Sequence, residues 1–378
     1  MTVDGIENKI TEPLPSADVE ISTPEVVKSV PEETLTLAGN KQESEVTASD
    51  MTVHEEIAQR RLRELETELG MAPASLGKEK VSKVISAEEA SSIIAEDFPE
   101  FKDAQIKLLG QGQNAVTFEV DEEYLFRFPF RLTASVEVGD LDTQRRILQS
   151  LEGKLDVEIP RIEYKGKEQH YIGYRKIKGE VLTREVLETL TDEEKDWVGK
   201  DLAHFVNQMY KALPIEAAEE AGFTRRPFIK EESRKETEEF VGREFEGVER
   251  DFLLKALQQS KELESAPHKE VPLHGDLDLG NMVLDPKTKR LKGVIDFGHA
   301  IGDVHRDFFY SRIRDPIMGK AMTEEYERTS GEALSRDTLQ IYEVVRELRF
   351  LLRYHKNGNQ KLFDEWRNKL MGRLTLVN

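Results

Sequence analysis

Two short runs constrain this chain more than any other feature: His274-Gly275-Asp276-Leu277-Asp278-Leu279-Gly280-Asn281, then Ile295-Asp296-Phe297-Gly298 with Gly302-Asp303 behind it. They place two carboxylates and an amide at the spacing that phosphoryl transfer on a metal-bound nucleotide requires. The segment that holds them, Val271 to Asp307, breaks an otherwise helical stretch with strand-like pieces at Met282 to Leu284 and Val294 to Asp296.

The 378 residues suffice for one large or two ordinary domains with real hydrophobic cores. The chain has no cysteine, which excludes a disulfide framework, a zinc-thiolate site and a cysteine nucleophile. It has no run of about 18 apolar residues and no basic start leading into an apolar core, so neither a membrane span nor a signal peptide is expected. The expected location is the cytoplasm. A formal charge of −20 argues against nucleic acid as a partner, because phosphate backbones need a basic surface, and it would draw in a cationic substrate. Part of that charge is local: residues 1 to 80 carry 17 Asp and Glu against 8 Lys and Arg, a net of −9.

That segment has no aromatic residue, the first being Phe98, and it mixes Pro13, Pro15, Pro24 and Pro31 with scattered Glu, Ser and Thr. Such a composition cannot bury enough apolar surface to offset its ordering entropy, so residues 1 to 80 are expected to be a disordered acidic tail. The tail is either a solvated linker or a docking segment. Within it Val53, Ile57, Leu62, Leu65 and Leu69 lie near one helical face, a possible site of self-association or of contact with a protein partner.

The folded part begins near Val81. Ser86 and Glu89 have the spacing of a capping box for a short helix. Strand-like runs follow at Gln105 to Leu109, Ala115 to Val120 and Tyr124 to Phe128, then a helix around Leu141 to Leu151, then strands at Arg161 to Tyr164 and His170 to Ile177. Together these predict a small five-stranded antiparallel sheet over residues 81 to 178. From residue 179 to 378 the pattern is mostly helical, with a second capping box at Thr191 and Glu194 and a charge-rich helical stretch from Glu216 to Asp251. Leu339, Tyr342, Val345, Leu348 and Leu352 mark a late amphipathic helix.

Phosphoryl transfer asks for a group that orients the attacking hydroxyl, for metal ligands and for contacts to the phosphates. Asp276 is the candidate orienting base, Asn281 can offer an amide oxygen to Mg²⁺, and Asp296 can bridge the metal to the phosphates. His274 alone reads as a structural histidine. Asp278 either meets a cationic substrate or faces solvent, and Asp303 and Asp307 brace the metal-binding loop or reach substrate. The Gly110-x-Gly112 loop joins two strands, as an ordinary hairpin turn or as a backbone cradle for phosphate.

The string His274-x-Asp276 with Asn281, then Ile295-Asp296-Phe297-Gly298 and Gly302-Asp303, resembles the aminoglycoside phosphotransferase family of small-molecule kinases over roughly residues 100 to 310. The resemblance implies an α+β, bilobal protein-kinase-like fold with an antiparallel-sheet N-lobe and a helical C-lobe. It also implies that Asp276 is catalytic, that His274 buttresses its loop, and that Asn281 and Asp296 bind Mg²⁺. ATP or GTP would be the phosphoryl donor, its phosphates near Gly110, Gly112 and Arg127 and its base against the connection Tyr174 to Ile177 with Gly179, which includes Arg175.

One pair departs from the family. Arg127, in Phe126-Arg127-Phe128-Pro129, stands where a lysine is usual, and Gln144 stands where a glutamate pairs with that lysine, unless Asp142 takes the place through a different helix register. Arginine still binds phosphate, in a fork geometry that lysine lacks. The expected activity is therefore transfer to a hydroxyl of a small, cationic molecule, with aminoglycosides leading and choline, amino-alcohols or sugars as alternatives. A nucleotide-binding protein that acts through its tail without transfer is the reading from a different class. A protein kinase fits less well, since no Ala-Pro-Glu run follows Asp296.

Overall fold

The computed structural model describes residues 85–111, 115–129, 138–167 and 171–374. The acidic tail, the helical pattern from Val53 to Leu69, the start at Val81, and the positions Gly112 and His170 lie outside the described residues. Ser86 opens helix α1 (Ala87–Asp97) with the expected capping box: the Glu89 N–H donates to Ser86 Oγ at 3.2 Å and the Ser86 N–H to Glu89 Oε2 at 3.1 Å. Ala90 and Ile94, one turn apart, bury its inner face, and Asp97 at its end accepts from the Tyr171 hydroxyl at 2.7 Å.

Strands β1 (Ile106–Gln111), β2 (Ala115–Val120) and β3 (Tyr124–Pro129), helix α2 (Val138–Leu151), and strands β4 (Ile162–Lys165) and β5 (Ile172–Arg175) follow. The five strands form one antiparallel sheet in the order β1-β2-β3-β5-β4, as the sequence patterning predicts. Alternation along β3 decides what each face does. Phe126 and Phe128 point into a core with Phe101, Phe118 and Tyr171, where the Phe128 and Tyr171 rings stack at 4.3 Å. Arg127, between them, must point to the opposite face. Gly173 on β5 is cross-strand from Phe126, and a β-carbon there would run into that ring.

The remainder is mostly helical. Strand β6 (Glu180–Val181) and helices α3 (Arg184–Thr189), α4 (Asp192–Ala212) and α5 (Ile215–Ala221) come first, then β7 (Thr224–Arg225), α6 (Glu231–Glu244) and α7 (Gly247–Ser265). Thr191 caps α4 through the second capping box. Strands β8 (Glu270–Leu273), β9 (Met282–Leu284), β10 (Leu291–Val294) and β11 (Ala300–Asp303) follow, then helices α8 (Phe309–Arg314), α9 (Pro316–Ser330), α10 (Arg336–Lys356) and α11 (Gln360–Leu374). Helices α4 and α9 approach so closely that a β-carbon on Gly199 would overlap the Met318 carbonyl. One large core surrounds α4, and a second joins α6, α7, α8, α10 and α11. Among the described residues no helix is long and apolar enough to cross a membrane.

The four short strands place the functional loops. β8 pairs antiparallel with β11 in one three-stranded sheet, and β9 pairs antiparallel with β10 in another. The run 274–281 therefore crosses from the first sheet to the second, and the run 295–299 crosses back beside it.

Candidate active site

The two crossing runs are stitched together by their backbones. The Ile295 N–H donates to the Asn281 carbonyl at 2.9 Å and the Gly298 N–H to the His274 carbonyl at 2.8 Å. A β-carbon on Gly298 would lie 2.7 Å from that His274 oxygen, so only glycine allows the approach. Phe297 between them is buried, 4.7 Å from the His274 ring and 6.0 Å from Phe205.

Asp276 is held from three sides. Its backbone N–H donates to His274 Nδ1 at 3.3 Å, and the Asn281 side-chain NH₂ donates to its carbonyl at 2.8 Å and to Oδ2 at 3.1 Å. The Tyr310 hydroxyl also faces its carboxylate. Burial, followed by the nearby Asp278 charge, pushes the Asp276 carboxyl above its ordinary value, while Arg346 and the Tyr310 bond pull the other way. With both its N–H groups facing Asp276, Asn281 keeps its Oδ1 for another partner.

His274 is fully buried, and burial lowers its pKa, so it sits neutral among aromatic rings. Asp307 is buried beneath it. One Asp307 oxygen accepts from the His274 N–H at 2.9 Å and the Tyr210 hydroxyl at 2.9 Å, the other from the Gly275 N–H at 2.8 Å. Asp307 thus braces the run that carries Asp276. Asp303 accepts instead from the His305 backbone at 3.1 Å and the Tyr342 hydroxyl at 3.0 Å, anchoring the chain after β11. Asp278 takes neither of its expected roles. Arg314 grips it through two bonds of 2.7 and 2.6 Å and holds its carboxyl below the usual range despite its burial. It is spoken for internally.

Asp296 adopts φ +62°, a left-handed conformation that costs a non-glycine residue roughly 1–3 kcal/mol and keeps its carboxylate exposed. Arg127 reaches it from the sheet: its Nη1 lies 3.1 Å from Asp296 Oδ1 and 3.4 Å from Gln144 Oε1. Gln144 does occupy the partner position, whereas the side chain of Asp142 lies outside the described residues. Arg127, Gln144, Leu148, Pro160, Tyr174, Asp296 and Phe297 line one small cleft between sheet and helices.

The structure thus brings together Arg127, His274, Asp276, Asn281 and Asp296. It leaves three other expected residues apart from them. Gly110 sits at a register shift on β1. The Arg175 guanidinium turns outward to Glu123 and to the Tyr124 hydroxyl, the latter at 2.7 Å, and Ile177 packs against Gly293. Two further residues belong to the group. Tyr174, expected only as the first residue of the connection against the base, lines the cleft beside Arg127, and strand alternation carries that signal. Tyr310 bonds to Asp276, and no local pattern announces it.

The profile of the phosphotransferase enzyme family matches residues 105–349. Over 90 residues the chain is 36% identical to the aminoglycoside 3'-phosphotransferase of Streptomyces fradiae, which covers 21% of this chain and 34% of that protein, about a third of its length. The fold matches the GDP and kanamycin complex of APH(2")-IIIa with a TM-score of 0.61 at 23% identity, covering 75% of this chain and 97% of the other. It matches macrolide 2'-phosphotransferase type I with a TM-score of 0.53 at 17% identity, covering 76% and 98%. The architecture is the α+β, bilobal protein-kinase-like fold. With two-thirds of its length inside the family profile and the two crossing loops in place, the chain belongs to the phosphotransferase enzyme family.

Proposed function

We propose that this protein transfers a phosphoryl group from a nucleoside triphosphate to a hydroxyl of a small molecule. The observation that carries the reading is the convergence of Asp276, Asn281 and Asp296 on one edge of the helical part, opposite Arg127 on the sheet. Asp276, held by Asn281 and Tyr310, orients the attacking hydroxyl and takes up its proton. Arg127, whose described partner on α2 is the neutral Gln144, binds phosphate oxygens in place of Asp296. Asn281 Oδ1 and the Asp296 carboxylate are two hard oxygens that suit Mg²⁺, which would neutralise charge on the transferring phosphates. His274 and Asp307 position the loop. The sheet, residues 81 to 178, is the nucleotide half, and residues 179 to 378 are the acceptor half.

The donor is ATP or GTP. A relative solved with GDP makes GTP as necessary to assay as ATP. The location follows the donor, which is abundant in cytoplasm. Aminoglycosides are the acceptor class that two of the relatives' names support, and a macrolide relative shows that the fold is not confined to them. The expectation of a cationic acceptor leaned on the Glu-rich stretch. Several of its glutamates pair internally, Glu219 with Arg225, Glu231 with Lys261, Glu236 with Lys356 and Glu249 with Arg367, which weakens that support. A nucleotide-binding protein without transfer is the second reading, favoured by the neutral Gln144 at the Arg127 partner position.

The test is nucleotide consumption by the purified chain with Mg²⁺ and a hydroxyl panel of aminoglycosides, a macrolide, choline and sugars. Acceptor-dependent turnover that disappears in Asp276→Asn supports transfer. Tight nucleotide binding with no turnover on any acceptor supports the second reading.

A further inference from the structure

Helix α10 carries Arg346, Arg349 and Arg353 at spacings of three and four, which puts all three on one face. That face looks toward Asp276. Arg346 lies over the Tyr310 ring at 4.8 Å and donates to the Tyr310 hydroxyl, and that hydroxyl faces the Asp276 carboxylate. Arg349 and Arg353 follow Arg346 along that same face, about one and two turns further on.

The neighbouring cations have partners. Arg312 pairs with Glu343, Arg314 with Asp278, and Arg346 with Tyr310. Arg349 and Arg353, both half-buried, make no ion pair and no side-chain hydrogen bond among the described residues. Burial lowers the pKa of both, with repulsion from Arg346 next in size, and Arg349 falls to about 10. Like charges on one helix face repel, and a guanidinium taken partly from water without a partner is unfavourable. Two such groups beside a catalytic carboxylate are an anion site in waiting.

We propose that Arg349 and Arg353 bind an oxyanion group of the acceptor, a phosphate or a carboxylate, while its hydroxyl lies at Asp276. Arg346 is a positioning residue that holds Tyr310 against Asp276. This inference rests on the phosphotransfer reading for where the hydroxyl goes, but not for what the arginines bind. The acceptor would then be a phosphorylated or acidic polyol rather than a polycation. The acidic exterior does not oppose this, because short-range bidentate contacts outweigh screened charge beyond a Debye length.

The experiment measures binding to the full chain with Mg²⁺ and a non-hydrolysable nucleotide, by calorimetry, for glycerol, glycerol phosphate, glycerate and kanamycin. Wild-type protein is expected to bind glycerol phosphate or glycerate at least tenfold more tightly than glycerol or kanamycin, with the favoured anion identifying phosphate or carboxylate. Arg349→Gln and Arg353→Gln, which keep most of the packing, are expected to abolish that preference with nucleotide affinity unchanged. Tighter binding of kanamycin, no preference of wild type for either anion, or an anion preference that survives both substitutions would overturn the proposal. So would an equal loss of nucleotide affinity, which would assign the arginines to the donor. If the anions bind through Arg349 and Arg353 yet no phosphate is transferred from ATP or GTP, the phosphotransfer reading fails and the anion site stands.

Discussion

Arg127 and Gln144 set the character of the cleft proposed to take the nucleotide. Arg127 meets Gln144, Tyr174 and Asp296, and its described partner on α2 is a neutral amide, so the proposed contact to phosphate depends on its own fork geometry. Arg127→Ala is expected to weaken nucleotide binding by about 1.5–3 kcal/mol, the range of hydrogen bonds to charged groups, read as KM for the nucleotide or as direct affinity. An unchanged affinity would remove Arg127 from the cleft chemistry. His274 gives a pH signature. Its folded pKa is lowered by burial, so below the ordinary histidine value the unfolded chain binds the extra proton. Stability should therefore hold above pH ~6.5 and fall as pH drops below it, by at most about 1.4 kcal/mol per pH unit from this group. His274→Gln should show a shallower decline in urea midpoint over that window. Equal slopes in the two proteins would mean that His274 is not buried neutral.

The element that makes the site is the pair of crossings between two small sheets, β8 to β9 and β10 to β11. Gly298 is its tightest point. Gly298→Ala puts a methyl 2.7 Å from the His274 carbonyl and must push the two runs apart, at a cost of about 1–3 kcal/mol. Because that movement separates Asp276 from Asp296, turnover should fall more than the melting temperature suggests, by about a hundredfold. Full activity in a destabilised Gly298→Ala protein would show that the spacing of the loops is not critical. Much of this was legible in sequence. The alternation Phe126, Arg127, Phe128 fixes which side chain leaves the sheet core, and Ser86 with Glu89 and Thr191 with Glu194 name their helix starts. What was not legible depended on contacts remote in sequence. Asp278 finds Arg314, Asp276 finds Tyr310, and the periodicity of Arg346, Arg349 and Arg353 gives a face without saying what it faces.

At the scale of the molecule, net charge misleads where charge is paired locally. The −20 total suggests a cationic partner, but several glutamates of α6 and α7 are engaged with lysines and arginines, and Arg349 and Arg353 share a helix face with Arg346 near Asp276. Specificity is set within a few ångströms of the reacting groups, inside the Debye length, where individual pairs matter more than the total. The catalytic half of the account depends on one group. The most direct measurement follows labelled phosphate from γ-labelled ATP and GTP, with Mg²⁺ and the acceptor panel, in wild-type protein and in Asp276→Asn. The account predicts acceptor-dependent transfer that falls by at least about a hundredfold in Asp276→Asn while nucleotide affinity stays within about twofold. Undiminished transfer in Asp276→Asn, or none in wild type with any acceptor, would contradict it.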